Sequence, residues 1–179
     1  MNYCSNCGNP VTIKIPAGDN RERHVCDNCD AVHYQNPRII AGCIPVYGDR
    51  VLLCRRAIEP RRGYWTLPAG FLENGETVLQ GALRECQEEA GAEISNPQLY
   101  GVYDIPHISQ VYVFYRGPLL DKTYSAGEES LEVELFHEQE VPWDELAFPV
   151  ITLALEHFFH DHNRESPMVR TATISRRMR

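Results

Sequence analysis

No apolar run in this 179-residue chain approaches the roughly 20 residues of a membrane-spanning helix. The opening MNYCSNCG also lacks the basic segment and following apolar stretch of a secretion signal, so a soluble, cytoplasmic protein is expected. Basic charge is scarce. Seventeen Lys and Arg against 25 Asp and Glu leave a net charge of -8, which argues against broad electrostatic attraction to nucleic acid or to anionic membranes. Size is limited too: 179 residues with 43% hydrophobic content are enough for one well-packed domain and a small appendage, and exclude a third full domain.

Cysteine is present but unevenly placed. Four of the seven fall at Cys4, Cys7, Cys26 and Cys29, a C-x2-C-x18-C-x2-C spacing that reads as a tetrahedral zinc site. About thirty-five residues bury little core, so a structural Zn²⁺ is expected to hold residues 1–36 folded as a small zinc ribbon. Two disulfides are the competing arrangement, disfavoured in a reducing compartment. His24 and His33 flank the second pair as substitute ligands, and Gly8 follows Cys7 where a tight turn is needed. Cys43, Cys54 and Cys86 sit among apolar residues and read as core.

After Tyr34-Gln35-Asn36-Pro37 the pattern becomes strand-like, which sets a second domain over residues 37–163. Residues 39–47 and 51–55 form a hairpin around Gly48-Asp49, residues 98–104, 110–116 and 131–136 read as further strands, and Ile151, Leu155, Phe158 and Phe159 mark a helix over 150–162. Residues 164–179 carry five arginines and one glutamate without apolar periodicity, and are expected to be a basic, mobile tail with a nucleic-acid or phosphate contact as the alternative.

The most informative stretch is GFLENGETVLQGALRECQEEAGA, Gly70 to Ala92. A helix over 77–90 turns by about 100° per residue, so Glu88 and Glu89, three and four positions beyond Glu85, share one narrow arc with it. Leu79, Ala82, Leu83, Cys86 and Ala90 form a neighbouring apolar stripe, and Gly81 leaves room one turn before Glu85. Thr77 with Gln80 forms a capping box, and Gly91 ends the helix. At an effective dielectric near 20, two carboxylates about 5 Å apart repel by roughly 3 kcal/mol. A divalent cation removes that conflict, and hard cations such as Mg²⁺ are usually completed by substrate phosphates. A solvated acidic helix face is the bland alternative.

In order and spacing, Gly70, Glu76, Arg84-Glu85, Glu88-Glu89 and Gly91 resemble the signature of the Nudix hydrolases. Cys86 and Ala92 stand where that family places aliphatic residues. The resemblance implies a mixed-sheet α/β/α sandwich, Mg²⁺ or Mn²⁺ held by Glu85, Glu88, Glu89 and the Gly70 carbonyl, a Glu76–Arg84 pair, and hydrolysis of a diphosphate linked to a nucleoside. It also implies a general base from a loop outside the signature, for which Glu129 is the candidate as base or as an extra metal ligand, with Glu128 and Glu132 as alternatives and a plain acidic surface loop as the competing explanation. Homodimerisation is common in the family, and a homodimer is carried as an option.

With the ribbon included, the chain resembles plant-type FAD and ADP-ribose pyrophosphatases, through Trp65-Thr66-Leu67-Pro68-Ala69-Gly70, Asp104-Ile105-Pro106, Glu129-Ser130-Leu131-Glu132 and Leu146-Ala147-Phe148. The NADH pyrophosphatases carry a Ser-Gln-Pro-Trp-Pro-Phe-Pro run where this chain has Ser109-Gln110-Val111-Tyr112-Val113-Phe114-Tyr115. FAD or ADP-ribose is therefore the expected substrate, with NADH as the alternative. Tyr64, Trp65, Phe71, Tyr103 and Tyr112 are candidates to stack on a flat ring, and Arg55 and Arg56 to meet a phosphate. A non-hydrolytic nucleotide sensor or nucleic-acid-binding module is the other alternative, disfavoured by the intact carboxylate set and the acidic balance.

Overall fold

The computed structural model describes residues 1–161 and 168–175. The chain divides into two units, Met1–Asn36 and Pro37–Arg179. In the first, strands β1 (Val11–Lys14), β2 (Arg23–Cys26) and β3 (Val32–His33) form an antiparallel three-stranded sheet. Its two knuckles are built alike. The Gly8 amide donates to Cys4 O and the Asp30 amide to Cys26 O, each at 2.9 Å, and both residues take a left-handed backbone (φ 74° and 55°). Only the first knuckle advertises itself with glycine.

The second unit contains β4 (Arg38–Tyr47), β5 (Arg50–Arg56), β6 (Trp65–Thr66), β7 (Ala69–Phe71), α1 (Val78–Ala90), β8 (Gln98–Ile105), β9 (Gln110–Pro118), β10 (Ser130–Phe136), α2 (Pro149–Asp161) and β11 (Arg170–Thr173). The sheet runs β10-β5-β4-β9-β8-β11, with β6 on β5 and β7 on β4. The β4–β9 and β8–β11 pairs are parallel and the others antiparallel, giving the mixed sheet the sequence implies.

Alternation along the strands creates two cores, because successive side chains point to opposite faces. Ile44, Val51 and Leu53 pack with Val150, Ile151, Ala154, Leu155 and Phe158 of α2. Their neighbours Cys43, Leu52 and Cys54 pack with Ala82, Cys86 and Ala90 of α1. One helix covers each face, which is the α/β/α sandwich. The three central cysteines are core residues, as their surroundings in the sequence indicate. Leu83 lies only at the margin of the α1 core and Leu79 outside it.

The C-terminal segment departs from the expected mobile tail. Residues 164–167 and 176–179 lie outside the described residues, but Arg170–Thr173 form β11, in parallel register with Gly101–Asp104 of β8. The reason lies in a buried charge: the Arg170 guanidinium grips both oxygens of Asp161, only 1% exposed, and Tyr100 Oη donates to the same carboxylate at 3.3 Å. A buried carboxylate needs such partners. Ala172 and Ile174 add apolar contact with the α2 core.

Candidate functional site

Two short strands set the geometry around α1. β7 pairs with Ile40–Gly42 of β4 and delivers Ala69 and Gly70 beside the helix. Thr77 is the N-cap, with its side chain and that of Gln80 bonding reciprocally to backbone amides, and Gly91 closes the helix in the left-handed region. A side-chain Cβ at Gly70 would sit 2.3–2.5 Å from the Glu85 carboxyl atoms, so the absence of a side chain there is what lets Glu85 lie against the turn. The space that Gly81 leaves is taken by Glu76 and Leu72, each 2.8 Å from where a Cβ would stand.

The three acids of the arc have different surroundings. Glu89 is 6% exposed and accepts the Ala69 amide at 3.1 Å; burial pushes its carboxyl up to about 8. Glu85 is also raised, first by burial, against the pull of Arg84. Glu88 has a side chain 58% exposed and faces solvent. Arg84 ties the group together. Its Nε and Nη2 form a fork on Glu76 (3.1 and 2.8 Å), while Nη1 donates to Glu85 at 2.7 Å and Glu88 at 2.9 Å. That fork holds the Glu76 carboxyl below its ordinary value, and the expected Glu76–Arg84 pair extends into a network of three acids.

Glu85, Glu88 and Glu89 are hard oxygen donors on one helix, the chemistry a divalent cation takes, but here Arg84 holds the Glu85 and Glu88 carboxylates and the Ala69 amide holds Glu89, and among the described residues only the four cysteines bring three or more ligand atoms together. The ribbon offers a different set. Four Sγ atoms lie within 4.8 Å of one another, with Cys4–Cys29 at 3.7 Å and Cys7–Cys26 at 3.5 Å. Tetrahedral bonds of about 2.3 Å require sulfurs about 3.8 Å apart, whereas a disulfide brings them to about 2.0 Å. The cysteines are free thiols, so the arrangement fits a metal and not the alternative crosslinks. His33 Nε2 lies 3.2 Å from Cys4 Sγ, in hydrogen-bond contact with the cluster of four sulfurs.

Several expected substrate contacts are drawn elsewhere by packing. Tyr103 is fully buried, its hydroxyl 3.1 Å from His157 Nδ1, and Trp65 lies edge-on to Phe136 with centroids 4.8 Å apart; both are core residues. Arg55 is held by Glu132 and by the Gly63 carbonyl, each at 2.8 Å, which occupies one phosphate candidate and one alternative base together. Its neighbour Arg56 lies over the Phe148 ring at 5.3 Å and bears electrostatically on Glu89. Phe71 is 49% exposed with the Arg38 guanidinium 5.0 Å from its ring centre, and Tyr64 carries Arg61 at 5.1 Å. Tyr112 is partly buried against the α2 core.

Glu128 and Glu129 are the central residues of a turn closed by the Ser130 amide on Gly127 O. Both are exposed, and Glu129 is near enough to raise the carboxyls of Glu85 and Glu89. The Ala69 amide and Gly127 are contributors that sequence reasoning missed. Ala69 acts through its backbone and leaves no side-chain signal, while a glycine before two acids reads as an ordinary loop.

The family model described as Nudix N-terminal matches residues 2–35, and that of the NUDIX domain matches residues 36–158. Among solved structures, a crystal structure of a NUDIX hydrolase from Nitrosomonas europaea is 50% identical, with a TM-score of 0.93 over 98% of this chain and 100% of that one. An ADP-ribose pyrophosphatase of Methanocaldococcus jannaschii is 32% identical over 122 residues, 64% of this chain and 69% of the relative. A mitochondrial NAD(P)H pyrophosphatase of Homo sapiens is 31% identical over 151 residues, 81% of this chain. The chain spans 40% of that human relative's length, and 36% to 39% of several other curated relatives.

Proposed function

The chain belongs to the Nudix family, and from that premise we propose that it hydrolyses the diphosphate of a nucleoside diphosphate linked to another moiety. FAD, giving FMN and AMP, or ADP-ribose, giving AMP and ribose 5-phosphate, is the preferred substrate. The observation that carries this reading is the buried Glu89 carboxylate on the Ala69 amide, sharing one helix face with Glu85 and Glu88. Glu85, Glu88, Glu89 and the Gly70 carbonyl would hold Mg²⁺ or Mn²⁺, and Cys4, Cys7, Cys26 and Cys29 would hold a structural Zn²⁺. A bound dication would neutralise charge on the departing phosphate and lower the pKa of a water.

The chain's own residues supply the rest. Arg84, anchored by its fork on Glu76, orients the Glu85 and Glu88 carboxylates through Nη1. Glu129 takes the proton from the attacking water as an oxygen–phosphorus bond forms and the bridging P–O bond breaks. To a substrate phosphate we assign Arg56, which Glu132 does not pair though its Nε donates to Pro60 O at 2.9 Å, and to a base the half-exposed ring of Phe71, next to Gly70 and beside the Arg38 guanidinium.

The ADP-ribose pyrophosphatase relative favours ADP-ribose. The human NAD(P)H pyrophosphatase, aligned over 81% of this chain, supports the second reading, reduced dinucleotide hydrolysis. Incubation with Mg²⁺ and, separately, FAD, ADP-ribose, NADH and a nucleoside triphosphate, with products resolved by chromatography, ranks these. Turnover of NADH far faster than FAD or ADP-ribose would replace the first reading with the second.

A further inference from the structure

The end of α1 is completed by a distant loop. An α-helix leaves its last four carbonyls without partners of its own. Gly91, by its cap, serves Cys86 O and Gln87 O. The last two carbonyls are served by the loop that carries Glu129: the Ser125 amide donates to Ala90 O at 2.8 Å, and the Gly127 amide to Glu89 O at 3.1 Å. The approach is as close as two backbones allow. A Cβ at Gly127 would fall 1.7 Å from Glu88 O and 2.9 Å from its carbon, and one at Gly91 would fall 2.5 Å from Ser125 Oγ. Beyond the turn, Glu129 O accepts the Ala57 amide at 2.8 Å, and an irregularity in the β10–β5 register between Ser130 and Glu132 sends Glu132 to Arg55. Bulges of this kind re-aim side chains beside active sites. The turn that carries Glu129 is therefore clamped on both sides, by the helix that carries Glu85, Glu88 and Glu89 and by Ala57, just past the end of β5.

We infer that Gly127 is a positioning residue: by letting its loop seat on the α1 carbonyls, it fixes Glu129 in register with the carboxylate cluster, so that base and metal-ligating helix form one rigid unit. The inference rests on the role given to Glu129 above. Any side chain at 127 meets backbone atoms that cannot rotate away, so the loop must lift and carry Glu129 with it.

The test is a double-mutant cycle on the full chain with Mg²⁺ and the best substrate of the panel. Gly127→Ala is expected to lower kcat by about 10- to 100-fold with KM held within about threefold, while Mn²⁺ binding, followed by electron paramagnetic resonance, persists. Glu129→Gln is expected to lose at least as much, and the double variant no more than Glu129→Gln alone, within about twofold. Losses that multiply, or an unchanged kcat in Gly127→Ala, overturn the clamp while leaving the base assignment standing. An unchanged kcat in Glu129→Gln removes both. Should Gly127→Ala not fold, Ala57→Pro, which deletes the amide at the other end of the turn, enters the same cycle with the same expectations.

Discussion

Glu89 and Ala69, twenty positions apart, are joined by a 3.1 Å hydrogen bond from the backbone amide to the buried carboxylate. The bond fastens α1 to the turn beside Gly70, and leaves the helix with an acid that burial prefers to keep protonated.

That preference has a sign. With a folded-state value of about 8 against an ordinary 4.5, metal-free Glu89 keeps a proton that the unfolded chain releases. Its contribution to stability is complete below about pH 4.5 and is lost as pH rises towards 8, by on the order of a few kcal/mol. Thermal melts in chelator at pH 5 and pH 8 are expected to show a larger fall for the wild type than for Glu89→Gln, and excess Mg²⁺ to restore wild-type stability at pH 8. Equal falls in both proteins would remove the argument.

Glu88 is the exposed member of the trio, and its removal leaves no buried cavity. Glu88→Gln should therefore stay folded, with an unchanged circular dichroism spectrum, while kcat falls by about 100-fold or more. Near-normal rates would take Glu88 out of the metal site.

Arg84→Lys keeps the charge and loses the fork on Glu76 together with the reach to Glu85 and Glu88. The expected outcome is a loss of about 1–2 kcal/mol in denaturant unfolding and a fall of about 10-fold in kcat/KM. Wild-type values in both measurements would show that a point charge is enough.

Metal analysis of the purified protein should give about one zinc per chain, lost when Cys4 and Cys7 become Ser. A metal-free wild type with a folded ribbon, seen by amide exchange in residues 2–35, would contradict the zinc assignment.

At the other end of the second unit, Arg170→Ala leaves the Asp161 carboxylate buried without its guanidinium partner. A lower unfolding midpoint than the wild type is expected, by less than for a fully enclosed pair because Arg170 is partly exposed. An unfolding midpoint within error of the wild type would mean that β11 contributes little.

Local chemistry alone determined much of this protein. The limits of α1 follow from Thr77, Gln80 and Gly91, the shared arc of Glu85, Glu88 and Glu89 from helical periodicity, the thiol cluster from cysteine spacing, and five strands of the sheet, β4, β5, β8, β9 and β10, from β-rich runs. Each is set by residues a few positions apart, or by a repeat that the chain carries in its own order. Tertiary packing decided what depends on distant partners: that Trp65 and Tyr103 fill the core, that Glu132 takes Arg55 and leaves Arg56 beside Glu89, that a buried Asp161 recruits Arg170 into a strand, and that a glycine at 127 lets one backbone rest on another. Burial and backbone approach are properties of the assembled fold, and no local pattern of side chains announces them.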